Sequence, residues 1–316
     1  MTTLTLIVPV YNEEDSIQPF YEAVTPVMNS LPIDWTILFV NDGSKDKTTQ
    51  AIKSLREDKP NVKFLDLSRN FGKEAALTAG LEWANADAVI PMDVDLQDPP
   101  ELIKEFYNKW QQGFDVVLGQ RITREADTKA KRASAGMFYK IFNAISHHKI
   151  EPNVGDFRLM TRRVVTETLK LRERNRFMKG LFAWVGFKAA IVPYSRPERE
   201  VGETKFNYWK LWNFALDGIT SFSTAPLRVW TYIGGTLAVG AIVYMFITIV
   251  STLLYGNETP GYTSLMSVIL LLGAAQLISL GIMGEYLGRL YMEVKQRPIY
   301  IVKDTYGFNA DASQDE

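Results

Sequence analysis

The sequence contains no cysteine, which excludes disulfide bridges, thiolate nucleophiles and cysteine-ligated metals. Its only histidines, His147 and His148, are adjacent and have no metal-ligand spacing, so both read as structural. No Gly-x-Gly-x-x-Gly follows the first apolar run, which disfavours a dinucleotide fold, where those glycines bring backbone close to a pyrophosphate. The first residues, Met1 to Val10, have no charged region ahead of an apolar one, so no signal peptide is expected. Charge is also missing from two long stretches: about 27 residues from Val229 to Tyr255 and about 26 from Thr259 to Gly284. Crossing a hydrocarbon core of roughly 30 Å takes about 20 residues, and soluble helices this long rarely lack every charged side chain. Two transmembrane helices are therefore expected, at about 229–255 and 263–285. Between them Gly256 to Tyr262 lacks Lys and Arg, while Arg228 precedes the first span and Arg289, Lys295 and Arg297 follow the second. The positive-inside rule then puts the hairpin loop outside and both termini in the cytoplasm.

The 316 residues are 47% hydrophobic and 22% charged, a globular composition long enough for two domains. The formal charge of −1 hides a gradient: residues 1–120 sum to −9, 121–200 to +10 and 201–316 to −2. An acidic block followed by a basic one suits a site for metal plus phosphate, and no nucleic-acid partner is expected. Ahead of the first span, Lys205 to Leu216 mixes aromatics with lysines, as in a helix lying in the headgroup layer. The acidic, small-residue tail Phe308 to Glu316 is expected to be disordered.

The first part of the chain alternates between two periods. Leu4 to Val8, Ile37 to Val40, Val62 to Leu67, Ala88 to Met92 and Val116 to Leu118 are short apolar runs bounded by turn residues. Helical patterns separate most of them, at Ile17 to Met28, Thr48 to Glu57, Lys73 to Asn85 and Glu101 to Gln112. This order predicts a mostly parallel sheet covered on both faces. Such sheets bind ligands beyond the carboxyl ends of their strands, and the loops there are rich in Asp, Asn and Arg.

Strand one leads into Pro9-Val10-Tyr11-Asn12-Glu13-Glu14, and strand two into Asn41-Asp42-Gly43-Ser44. The second is a turn that Asp and Gly alone would explain, yet Asp42 sits where a base or ribose could be hydrogen-bonded. Strand four leads into Asp93-Val94-Asp95-Leu96-Gln97-Asp98-Pro99. If that backbone is extended, Asp93, Asp95 and Gln97 point to one face and supply the oxygens that Mg²⁺ or Mn²⁺ prefers alongside substrate phosphates.

These segments resemble the inverting nucleotide-sugar glycosyltransferases of family 2, and more closely the bactoprenol (undecaprenyl-phosphate) glucosyltransferases of O-antigen modification, relatives of dolichol-phosphate mannose synthases. The likeness runs from Leu4 to about Lys303 and includes Arg69-Asn70-Phe71-Gly72-Lys73-Glu74, Val154-Gly155-Asp156-Phe157, Thr204-Lys205-Phe206-Asn207 and Gly284-Glu285-Tyr286-Leu287-Gly288-Arg289. It implies a GT-A type, Rossmann-like cytoplasmic domain over residues 1–200, a juxtamembrane region at 201–227, two transmembrane helices within 228–290 and a cytoplasmic tail at 291–316. The implied donor is UDP-glucose, held by Pro9, Tyr11, Glu13, Asp42, Lys73 and Asp93. The implied divalent cation, Mg²⁺ or Mn²⁺, is held by Asp93, Asp95 and Gln97. The implied acceptor is undecaprenyl phosphate, with Arg121, Lys131, Arg132, Arg199 and Lys205 as cations for it and for the pyrophosphate.

Asp156 matches the family's acid nearest the acceptor, usually called the base. A lipid phosphate is already largely a dianion at neutral pH, so orienting the attack or stabilising an oxocarbenium-like sugar is the alternative role. Asp95 is the second residue assigned to catalysis, through the metal. The resemblance further implies a bacterial inner-membrane location and coupling to a flippase and a downstream glucosyltransferase, and Gly234, Gly235, Gly240, Gly273 and Gly281 of the hairpin offer close-packing faces for a homo-oligomer. Rival readings are transfer of mannose, an aminopentose or an N-acetylhexosamine to the same lipid, a processive synthase, and a non-catalytic membrane scaffold. The processive reading is weakened by the absence of Gln-x-x-Arg-Trp.

Overall fold

The computed structural model describes residues 2–122, 151, 153–174, 176–195, 225–255 and 261–308. Lys131, Arg132, Arg199 and Lys205 lie outside the described residues, as do His147, His148, the expected interfacial helix at 205–216, most of the hairpin loop and the last eight residues of the tail.

The strands are β1 (Thr3–Val10), β2 (Asp34–Asn41), β3 (Val62–Leu67), β4 (Ala88–Pro91), β5 (Val116–Arg121), β6 (Val154–Thr161), β7 (Ala189–Tyr194) and β8 (Val302–Tyr306). They form one sheet in the order β7-β5-β6-β4-β1-β2-β3-β8. Pairings β1·β2, β1·β4, β2·β3 and β5·β7 are parallel, while β6 runs antiparallel to both β4 and β5, and β8 antiparallel to β3. The described helices are α1 (Ile17–Asn29), α2 (Thr48–Asp58), α3 (Lys73–Trp83), α4 (Leu102–Gln111), α5 (Arg162–Lys170), α6 (Met178–Val185), α7 (Ala225–Tyr255) and α8 (Tyr262–Val294). This is the expected Rossmann-like, mostly parallel GT-A sheet followed by a helical hairpin.

Period-two alternation divides each central strand between two cores. Leu4, Leu6, Val8 and Val10 of β1 pack with Ile37 and Phe39 under α1, α2 and α4. Ile7, with Leu38 and Val40, faces Ala76, Ala79 and the helices of the opposite side. α3 lies close to the sheet because its buried face is made of small residues: a Cβ at Gly80 would stand 2.2 Å from Ile7 Cγ2. That close packing fixes the N-terminus of α3, and with it Lys73, at the ligand edge.

Three strands differ from the sequence expectation. β6 carries Asp156 and Arg158 among its apolar residues, which broke the apolar-run signal, and β7 is short and ends in Pro193-Tyr194. β8 lies within the segment set apart as a tail, where its Val-Lys-Asp-Thr-Tyr looks like solvated chain. In the fold Tyr306 stacks on Phe64 with ring centroids 5.5 Å apart, and Phe308 meets Trp83 edge-on at 5.2 Å.

α7 and α8 have 31 and 33 residues, more than a span requires. Within the described side chains one stretch, Leu271–Val294, is long and apolar enough to cross a membrane, and none of it is buried by the protein. Exposed Phe246, Leu253 and Leu254 on α7 and Leu271, Leu277 and Leu280 on α8 form apolar faces that the described chain leaves uncovered. α8 runs past the charge-free stretch, its final turns stabilised by a 2.7 Å Arg289–Glu285 bridge. There the Glu293 carboxylate accepts the Arg174 backbone N–H at 2.6 Å, tying the hairpin to the sheet domain.

Candidate active site

The first two strand-end loops are stapled to each other. Asn12, at φ 55°, donates its backbone N–H to Ser44 Oγ at 2.9 Å and accepts the Lys45 N–H on Oδ1 at 2.8 Å. Gly43 adopts φ +68°, and a Cβ there would lie 2.4 Å from the backbone of Arg69, so the third loop presses directly on the second. Asp42 fixes that third loop: its two carboxylate oxygens accept the backbone N–H groups of Phe71 and Gly72 at 2.7 and 2.9 Å. Burial pushes the Asp42 carboxyl up, an effect those two N–H groups oppose. Asp42 thus lines the cleft but already holds the segment that leads into α3.

The cleft, about 350 Å³, is walled by Pro9, Tyr11, Glu13 and Asp42 on one side and by Lys73, Asp93 and Asp95 on the other. All six residues assigned to the donor from sequence therefore meet here. At the Asp93 side of the cleft Lys73 Nζ lies 2.6 Å from Asp93 Oδ1 and 3.0 Å from Asp156 Oδ2. Burial pulls the Lys73 pKa down, but Asp156 and Asp93 together push it above the ordinary lysine range. Burial pushes Asp156 up, yet Lys73, with Lys179 and Arg158 behind it, holds the carboxyl below its ordinary value. Asp156 sits at this edge because β6 is reversed: the start of an antiparallel strand falls beside the carboxyl ends of its parallel neighbours.

The third metal residue expected from sequence does not share the cleft wall. β4 ends at Pro91, and Leu96 has φ 53°, so the segment after Asp93 turns instead of extending and the two-residue alternation is lost. Asp93 and Asp95 line the cleft, whereas Gln97 does not, its backbone N–H donating to Asp95 Oδ1 at 3.2 Å. Among the described residues no three Asp, Glu or His side chains form a metal-holding group. Two carboxylates remain, a donor set of hard oxygens that fits a divalent cation completed by substrate phosphates.

Arg121 is anchored beside the same edge. Its Nε donates to Tyr194 Oη at 3.1 Å, and its guanidinium lies 3.6 Å from Asp98, which also accepts the Tyr194 hydroxyl. A Cβ on Gly155 would come within 3.3 Å of the Arg121 guanidinium, one residue from Asp156. Asp98 and Tyr194, which orient this cation, were not singled out in the sequence.

Beneath Asp156 lies a second layer of charge. Arg158 is 5% exposed, stacks on Phe182 at 4.4 Å and donates to the Gly155 carbonyl at 2.7 Å; burial lowers its pKa to about 10, against the acids Asp156 and Glu74. Glu74 accepts the Met178 N–H at 3.1 Å, but burial and then Asp156 push its carboxyl from 4.5 up to about 7. A glutamate raised in the fold binds its proton more tightly there than in the unfolded chain. Its contribution to stability is full below about pH 4.5 and is lost as pH rises through about 7. After allowance for partial exposure this amounts to the order of 2 kcal/mol. Glu74→Gln is expected to abolish that slope, so the stability difference between wild type and variant should change between about pH 4.5 and 7. A difference that stays constant over that window would disprove it.

Residues 5–169 match glycosyl transferase family 2, and residues 225–290 match the GtrB C-terminal hairpin. A bactoprenol glucosyl transferase of Shigella phage SfII is 53% identical over 306 residues, covering 97% of this chain and 99% of that protein. A prophage bactoprenol glucosyl transferase homolog of Escherichia coli is 53% identical over 95% of this chain and 98% of its own. An uncharacterised glycosyltransferase of Synechocystis is 51% identical over 96% of both chains. With strand-end acids, an ion-paired lysine and a matching hairpin on one chain, the protein belongs to the family 2 glycosyltransferases, as an enzyme of that family that carries the GtrB-type C-terminal hairpin.

Proposed function

We propose that this enzyme transfers glucose from UDP-glucose to undecaprenyl phosphate at the cytoplasmic face of a bacterial inner membrane, with inversion at the anomeric carbon. The observation that carries the reading is Lys73 held between Asp93 and Asp156 at the cleft, on a chain that continues into an uncovered apolar hairpin. The names of the 53% identical relatives support the sugar and the lipid.

In this reading the uridine lies toward Tyr11, and the diphosphate lies toward Lys73 and the β4 end. Asp93 and Asp95 would hold a divalent cation, Mg²⁺ or Mn²⁺, which when bound neutralises charge on the departing diphosphate. Lys73 supplies a positive charge held in place by Asp93 and Asp156 before the diphosphate arrives, so little reorganisation is needed as charge develops there. The lipid phosphate oxygen forms its bond to the anomeric carbon as the bond to UDP breaks. No proton need leave the nucleophile, because a phosphate monoester is largely dianionic at neutral pH. Asp156, kept ionised by Lys73, orients that attack and faces the positive charge developing on the sugar. Arg121, braced by Asp98 and Tyr194, stands on the acceptor side. The hairpin sets the cleft at the membrane surface, with its positively flanked ends inside.

The test is mass spectrometry of the product made by the purified chain from undecaprenyl phosphate and a panel of UDP- and GDP-sugars. A lipid-linked hexose from UDP-glucose, β-configured at the anomeric carbon, is expected. Product from a GDP-sugar and from no UDP-sugar would overturn the donor, and soluble glucose without lipid product would overturn the acceptor.

A further inference from the structure

We propose that Lys303, carried on β8, is a donor-binding residue that reaches the nucleoside end of the nucleotide from a wall the chain builds after it has left the membrane hairpin. The proposal rests on the donor being a nucleotide sugar. The cleft that holds Lys73, Asp93 and Asp95 continues past Tyr11 and Asn70, which it shares with a second cavity of about 450 Å³. The reacting end of the donor belongs at Lys73, so its nucleoside must extend away from it, and the second cavity is the space on that side of Tyr11.

The walls of this cavity are cationic. Lys45, Arg69 and Lys303 line it against the single acid Asp66. Asp66 is buried, and one of its oxygens already accepts the Asn41 amide at 2.7 Å, the same Asn41 whose Oδ1 takes the Ser44 hydroxyl and so shapes the second strand-end turn. Lys303 Nζ stands 3.4 Å from the other oxygen, with its side chain 61% exposed. That is a long contact, which tethers the ammonium over the cavity and leaves donors directed into it. A pyrimidine edge offers carbonyl oxygens, and the ribose and phosphates offer more, which is the chemistry a tethered ammonium recognises.

The rival explanation is that Lys303 only neutralises Asp66. Calorimetric titration of the purified full chain with UDP, and steady-state kinetics with UDP-glucose and lipid phosphate varied separately, distinguish the two. Lys303→Met is expected to raise the UDP Kd and the donor KM roughly tenfold, the loss of one charge-assisted hydrogen bond, while the lipid KM does not follow. Lys303→Arg should restore most of the affinity, and the Asp66→Asn, Lys303→Met double variant should stay weak, because no buried acid is then left to neutralise. Recovery of UDP affinity in the double variant, or a Lys303→Met protein that binds UDP like wild type, overturns the inference. Wild-type protein that binds no UDP overturns the nucleotide-sugar reading and this inference with it. Should Lys303→Met fold poorly, Lys303→Gln against wild type decides: a weakened donor KM with unchanged melting supports direct contact, and an unchanged donor KM opposes it.

Discussion

Lys73→Met is expected to lower kcat/KM by about 10²- to 10³-fold, the scale for removing one pre-positioned charged donor from an active site. Lys73 is the first residue of α3, and its place is set twice: by the small-residue face that lets α3 close on β1, and by Asp42, which holds the two preceding peptide N–H groups. Without the ammonium, Asp93 and Asp156 face each other with no cation between them. Burial, the largest influence on Asp156, then acts with much less opposition, and its carboxyl moves from below the ordinary value of 3.8 toward or above it. The acid limb of the pH–rate profile should therefore shift to higher pH, a sign that mere loss of donor affinity would not produce. Lys73→Arg keeps the charge but not the fit, and should fall between the two. Wild-type kcat/KM and an unmoved acid limb in Lys73→Met would remove Lys73 from the mechanism.

Asp156→Asn is expected to cost both rate and stability. Arg158 has been carried into a buried position, with Nε unpartnered among the described residues and Asp156 and Glu74 as the acids that favour its charge. Removing one partner of a buried ion network costs about 3–5 kcal/mol, and Glu74 retains part of the compensation here, so a loss of about 2–4 kcal/mol at neutral pH is expected. A carboxylate whose pKa is depressed in the fold contributes stability that is present above its ordinary pKa and lost as pH falls through the folded value. The deficit of the variant should accordingly shrink in acid. Chemical denaturation of the detergent-solubilised chain at about pH 7 and below about pH 4 reads this directly. A deficit of equal size at both would mean that the asparagine merely disturbs packing. The rate should fall about 10²-fold or more, because the neutral amide cannot face a developing oxocarbenium with opposite charge.

The strands that were legible from sequence are those whose side chains are apolar on both faces, β1 to β5. Their carboxyl ends marked Tyr11, Asp42, Asp93 and Asp95 as neighbours before any fold was known. β6 was hidden by Asp156 and Arg158, charges whose burial is explained by one another and by Lys73, Lys179 and Glu74. Nothing local tells a reader that residue 156 opposes residue 73, since the pairing follows from the reversal of β6 between β4 and β5. The geometry after β4 was misjudged for a simpler reason: Leu96, a residue with no preference for positive φ, adopts one, and the alternation that would have aimed Gln97 with the two aspartates fails there. The hairpin was legible because absence of charge is a strong signal. α8 itself runs on past the charge-free stretch, through Glu285, Arg289 and Glu293, where it meets the sheet domain.

β8 also sets the order in which the molecule can be finished. Asp66 and Lys303 are 237 residues apart, and the strand that covers β3 leaves the ribosome after both hairpin helices. Until then β3 presents an unpaired edge of backbone donors and acceptors, the feature through which nascent sheets stick to one another. Both hairpin helices lie between β3 and β8 in the chain, so that edge stays open until they have been made.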